Sequence, residues 1–171
     1  LQDVGAAHPG FKYIILRYFN VAGAAVDGSV GQCTPNATHL LKIACQTALG
    51  KRDQMQIFGD DYDTPDGTCI RDYIHVSDLI GAHMAALAYL QADGESMLAN
   101  CGYGHGVSVR DVLDVVAELA GKKLAITDAP RRAGDAAILV ADSTRLRTAL
   151  GWTPQYDDLQ KIVSDALAWE Q

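Results

Sequence analysis

Three stretches of this sequence carry more polar chemistry than a fold alone requires. The first is Arg17-Tyr18-Phe19-Asn20, where an amide side chain follows directly on an apolar run. An Asn at such a place either faces a ligand beyond the strand or turns the chain, and residue type alone permits both. The second runs from Gly59 to Val76 and sets Asp60, Asp61, Asp63 and Asp66 ahead of Arg71. Its acidic spacing invites comparison with a calcium-binding EF-hand loop, but no glutamate closes the loop and no pair of amphipathic helices flanks it. A polar turn that delivers Arg71 to an anion is the simpler reading. His75, in the same stretch, reads as a hydrogen-bonded structural histidine, because no nucleophile stands near it in a triad pattern. The third stretch is Pro130-Arg131-Arg132-Ala133-Gly134-Asp135. Adjacent arginines point in different directions, Gly134 permits a tight backbone, and Asp135 can accept hydrogen bonds from two hydroxyls. That combination suits a phosphate next to a ribose diol, or else a solvated surface turn. Arginines from two separated segments converging on one diphosphate make the sharper hypothesis, with each charge-assisted contact contributing roughly 1.5–3 kcal/mol.

The elements that must position these residues alternate between strand and helix. Leu1 to Gly10 reads as the tail of a helix and its stop signal, so the chain is expected to begin mid-fold. Phe11 to Arg17 has the apolar, β-branched pattern of a parallel strand buried on both faces. Pro35 and Asn36 are expected to start a helix carrying Leu40, Leu41, Ala44, Cys45, Ala48 and Leu49, stopped by Gly50. Gln54 to Phe58 alternates like a short strand, and Gly59 to Gly67 is a long polar turn. Arg71 to Val76 reads as one extended segment, leading to Ser77 as N-cap of a helix that ends at Asp93-Gly94. Met97 to Cys101 is a second parallel strand. Ser108 caps a helix ending at Gly121, Lys123 to Thr127 is strand-like, and Asp142-Ser143 and Asp157-Asp158 open the last two helices. The class is therefore α/β, with about two parallel sheet strands, too few for a stable doubly wound sheet.

Composition narrows the function classes. The 171 residues are 49% hydrophobic and 20% charged, enough to bury a core in one domain or one domain plus a remnant of another. A net charge of -7 and a pI near 5.0 argue against nucleic acid or an acidic membrane as partner. No apolar run approaches the roughly 20 residues that span a bilayer, and no secretory leader is present, so a cytoplasmic protein is expected. Cys33, Cys45, Cys69 and Cys101 are scattered without a CxxC pair and read as free thiols rather than metal ligands.

Taken together, LRYFNVAGA, THLL, QIFGDDYDTPDGTCIRDYIHVSDL and APRRAGD followed by AD resemble the UDP-glucose 4-epimerases of the extended short-chain dehydrogenase/reductase (NAD-dependent epimerase/dehydratase) family. The likeness runs from about Phe11 to the last helix, and the DYxTxDGTxxRDYIHV string is its most specific part. It implies a C-terminal portion: the remnant of an NAD-binding Rossmann-type parallel sheet plus the smaller substrate-binding α/β domain. Residues 1–26 would end the Rossmann-type domain, 27–171 would form mainly the substrate domain, and 76–101 would return a helix and strand to the sheet.

The resemblance further implies that Phe19 lies against the nicotinamide end of NAD and that Asn20 binds the diphosphate of a UDP-sugar. His39 and Leu40 would lie by the sugar and phosphates, and Gln56, Ile57 and Phe58 would run beside the uracil. Arg71 and Arg132 would clamp the phosphates, Asp135 would hold the ribose, and Leu139 would set room for the C2 substituent of the sugar. The activity implied for the parent is NAD-dependent 4-epimerisation of UDP-hexose, in a homodimer. The family's glycine-rich phosphate turn and YxxxK pair are absent, and the glycines of Gly102 to Gly106 lack the spacing of a dinucleotide site. Catalytic residues and tight NAD binding are thus expected upstream. A nucleotide-sugar dehydratase or decarboxylase of the same family, or a non-catalytic nucleotide-sugar-binding module, is the alternative.

Overall fold

A computed structural model describes residues 1–171. A short helix α1 (Gln2–Ala7) ends at His8, and two strands follow, β1 (Ile14–Tyr18) and β2 (Asn20–Ala22). Then come α2 (Leu40–Ala48), β3 (Met55–Phe58), β4 (Ile70–Arg71), β5 (Tyr73–His75) and α3 (Val76–Gln91). The rest is β6 (Met97–Cys101), β7 (Val107–Ser108), α4 (Val109–Ala120), β8 (Ile126–Ala129), β9 (Ile138–Leu139), α5 (Thr144–Leu150) and α6 (Leu159–Glu170). Parallel pairing dominates: β1 with β6, β2 with β5, β3 with β8, and β4 with β9. Only β4 with β7 is antiparallel. Parallel pairs need long crossovers, and the helices between the strands supply them.

The core gathers where α2, α4 and α6 meet. Leu41, Ala44, Cys45, Val112, Leu113, Val116, Ile162 and Val163 are all buried in one cluster, the product of apolar residues recurring at helical spacing. Burial also raises the thiols of Cys45 and Cys101 to about 12, which leaves both uncharged and poorly nucleophilic at neutral pH. No helix is long and apolar enough to cross a membrane.

Local signals were obeyed where the partner is close in sequence. Ser108 and Asp111 form a reciprocal capping box on α4, which ends at Gly121 in the left-handed conformation. Asp158 caps α6 through the amides of Gln160 and Lys161. Distant contacts changed four expectations. β1 is only half-buried, with Arg17 and Tyr18 exposed, because β6 alone flanks it. α2 begins at Leu40 rather than at Pro35, since Asn36 is left-handed at φ 51 and His39 is extended. The Arg71 to Val76 run breaks into β4 and β5 at Asp72, and the N-cap of α3 is His75, whose Nδ1 accepts from Ser77 N at 3.0 Å. Finally, four parallel pairings stand where two parallel strands were expected.

Two buried carboxylates hold these short elements together. Asp72, with no exposed surface, accepts from the backbone N–H groups of Tyr103 (3.0 Å), Gly104 (3.0 Å) and Ala141 (3.2 Å). Asp78 accepts from Tyr103 Oη (2.7 Å), Gln155 N (2.8 Å) and Tyr156 N (2.8 Å). The chain can approach Asp72 so closely because residue 102 is glycine: a Cβ there would lie 2.6 Å from Asp72 Oδ2. Asp72→Ala leaves three backbone donors without an acceptor and is expected to lower the unfolding free energy of the intact protein by about 3 kcal/mol or more. Ser108→Ala removes one cap and should cost about 1 kcal/mol. Urea unfolding that ranks the two in the opposite order would contradict this assignment.

Candidate functional site

Two cavities lie side by side, and the larger reaches the carboxyl end of β1 at Tyr18 and Phe19, where open α/β sheets place their ligands. The larger, about 790 Å³, is walled by Phe19, Val21, Val30, Lys42, Ile80 and Trp169 among others. The second, about 600 Å³, is lined by Gln56, Phe58, Arg71, Arg132 and Asp135. Asn20, His39, Leu40 and Tyr73 line both and form the wall between them. Both volumes fall in the range of small-molecule sites.

Each wall residue is placed by its element. Asn20 opens β2 opposite Tyr73 of β5, and its Nδ2 donates to the carbonyl of Asp72 at 3.1 Å, which fixes the amide's orientation. His39 is the N-cap of α2, so Leu40 brings to the wall one of the helix-start N–H groups that have no partner within the helix. The strand β3 pairs only with β8, leaving its other edge of backbone donors and acceptors open. Ile57 has its side chain 2% exposed in the core, so any contact it makes in the cavity runs through the backbone.

The neighbouring arginines diverge as expected. Arg131 turns away, with Nε 2.5 Å from Asp61 Oδ1 and its guanidinium 4.1 Å from the Tyr62 ring centre. Its hydrogen bond holds the Asp61 carboxyl below the usual carboxylate range. Arg132 turns inward, its guanidinium 3.7 Å from the centre of the Phe58 ring. Arg71, mostly buried, donates to the carbonyl of Ile70 at 2.9 Å and lies 3.7 Å from Asp135 Oδ1. With Arg52, three cations line this cavity against the single carboxylate of Asp135. A chain of net charge -7 thus focuses positive charge in one cleft, the arrangement that attracts a multiply charged anion.

Of the residues singled out in the sequence, Asn20, His39, Leu40, Gln56, Ile57, Phe58, Arg71, Arg132 and Asp135 meet in the smaller cavity, and Phe19 lines the larger. Leu139 is not brought in. It pairs in register with Arg71 on β9 but is half-exposed and lines neither cavity. Tyr73 and Arg52 are among the wall residues that escaped the sequence reading. Tyr73, whose hydroxyl burial pushes well up, stands two positions after Arg71, and that period-two spacing was a signal. Arg52 sits in a Lys-Arg-Asp run that reads as a solvated end of a helix.

The acidic turn and His75 take structural roles. Asp66 accepts from Thr68 N and Oγ1, both at 2.8 Å, as a local turn does. His75 is fully buried, with Nε2 3.1 Å from Asp165 Oδ2 and its ring stacked on Tyr156. It supports the turn after β2, because Gly23 adopts φ +83 and a Cβ there would stand 2.7 Å from the imidazole. Gly23→Ala is therefore expected to destabilise the intact protein by more than about 1 kcal/mol. Thermal unfolding at an unchanged midpoint would dispose of this close approach.

Comparison with known proteins gives consistent results. The model of the NAD dependent epimerase/dehydratase family matches residues 1–102. A UDP-glucose 4-epimerase of Azospirillum brasilense is 57% identical over 171 residues, covering 100% of this chain and 49% of the relative. A solved UDP-glucose 4-epimerase superposes with a TM-score of 0.94 at 46% identity, covering 99% of this chain and 51% of the other. The UDP-glucose 4-epimerase of Bifidobacterium longum, solved in complex with NAD+ and UDP, gives 0.90 at 37% identity over 99% of this chain and 50% of its own. The chain spans about half the length of the curated relatives it matches.

Proposed function

Because the chain belongs to the NAD dependent epimerase/dehydratase family, we propose that it is the UDP-sugar-holding part of an enzyme that interconverts UDP-glucose and UDP-galactose at C4. The observation that carries this reading is the meeting of Arg71 and Arg132 in one cavity beside the open edge of β3. In it, the two guanidinium groups clamp the diphosphate and Asp135 accepts the ribose hydroxyls. The uracil lies along Gln56, Ile57 and Phe58, read through backbone groups. Asn20 and the Leu40 N–H meet the phosphates on the shared wall, and the hexose passes His39 into the larger cavity. A relative solved with NAD+ and UDP supports the ligand pair.

Phe19 and the apolar walls of the larger cavity fit the flat, weakly polar edge of a nicotinamide ring. No glycine-rich phosphate turn occurs in the chain, so these residues fit one end of NAD only. When bound, NAD supplies reversible hydride transfer at C4 of the sugar. No Tyr-x-x-x-Lys pair occurs here either, and the proposal assigns proton transfer to residues outside this chain. What these residues contribute is a remote anchor: the diphosphate stays fixed while the hexose presents one face and then the other. Resemblance to the family also supports a cytoplasmic homodimer.

The intact protein with NAD should interconvert UDP-galactose and UDP-glucose in a coupled assay, and no interconversion would overturn the reading. Arg71→Ala and Arg132→Ala should each weaken UDP binding by roughly 1.5–3 kcal/mol in calorimetric titration. Unchanged affinity in both removes the phosphate role.

A further inference from the structure

His39 stands on the wall common to both cavities, and which of its ring nitrogens carries the proton decides what it offers a ligand. Gln32 Nε2 lies 2.7 Å from His39 Nδ1. An amide nitrogen only donates, so Nδ1 accepts and the proton of the neutral ring resides on Nε2.

Gln32 is itself held from far away in the sequence. Its backbone carbonyl accepts from Lys42 Nζ at 2.6 Å and from Trp169 Nε1 at 3.2 Å. Lys42 pairs with Glu170, both side chains being 9% exposed. Gly31 closes the contact, because a Cβ at that position would collide with the Trp169 ring. The last turn of α6 therefore pins the loop between β2 and α2 at the point where it meets His39. Of the other charged groups on the cavity walls, Lys42 and Glu170 engage each other and Arg71 faces Asp135. Arg52 is bonded to Gln46 and Ala37, and Arg132 covers Phe58. Tyr18, Tyr73 and the buried thiol of Cys69 are the remaining titratable groups on those walls.

We propose that Gln32 is a positioning residue that locks His39 in its Nε2–H form, with Lys42, Trp169 and Glu170 holding Gln32 in place, so that His39 presents a hydrogen-bond donor to the sugar diphosphate. The proposal rests on the UDP-sugar reading of the site. Phosphate oxygens only accept, so a bare ring nitrogen facing them would set lone pair against lone pair.

The test uses the intact protein with ¹⁵N-labelled histidine, the His39 signals being assigned from their loss in His39→Gln. In the wild type, the imidazole shifts should report a protonated Nε2 and an unprotonated Nδ1. Gln32→Glu replaces the donor with an acceptor, so at alkaline pH the proton moves to Nδ1 and UDP-glucose affinity falls about tenfold or more. Lowering the pH protonates the ring at both nitrogens, restores the Nε2 donor and recovers the affinity. A merely structural role for Gln32 would give a loss independent of pH. A protonated Nδ1 in the wild type, or a Gln32→Glu affinity that matches wild type at every pH, overturns the proposal. Wild-type protein that shows the expected ring form yet does not bind UDP-glucose overturns the UDP-sugar reading instead, and with it the ligand of His39.

Discussion

The buried carboxylate of Asp72 is the constraint on which the site depends. A charge with no exposed surface is strongly unfavourable unless its lone pairs are satisfied, and here three backbone N–H groups from two distant turns satisfy it. The same residue breaks the Arg71 to His75 run into two short strands and lends its backbone carbonyl to the Asn20 amide. Its own N–H donates to the carbonyl of Leu139 at 3.2 Å, tying β9 alongside. One residue thereby fixes Arg71 on one side and Asn20 on the other. Cavity geometry follows from that knot rather than from any long regular element.

Charge is distributed to match. Most carboxylates of this acidic chain lie outside the smaller cavity, several engaged in turns, caps and the Asp72 and Asp78 hubs. The arginines that converge on the cleft are braced instead by carbonyls and an aromatic ring. A guanidinium stacked on Phe58 keeps its edge donors for a ligand, and a carbonyl braces the Arg71 cation without cancelling its charge. Arg71 meets Asp135 only loosely at 3.7 Å, so a diphosphate entering between them meets little competition.

Much of this was legible in the sequence because it is local. Caps at Ser108 and Asp158, the stop at Gly121 and the parallel strand from Met97 to Cys101 need only neighbouring residues to be read. The arginine and asparagine positions were legible by resemblance to a family, and the structure brings them into one cavity. What could not be read is set by distant contacts. Arg52 bonds the carbonyl of Ala37, in the turn that delays the start of α2. A histidine capped α3 where a serine was expected, because His75 is held in place by Tyr103, Asp165 and Tyr156 from other segments. Trp169 reaches Gln32 across 137 positions, a distance no periodicity encodes.

The central claim is that two arginines from separate segments act together on one diphosphate. The most direct measurement compares UDP with uridine, which lacks the phosphates, in the wild-type protein and in Arg71→Ala/Arg132→Ala. The account predicts that uridine binds both proteins alike, while the preference for UDP falls by about a hundredfold or more in the double variant. A preference for UDP that survives loss of both guanidinium groups would contradict it.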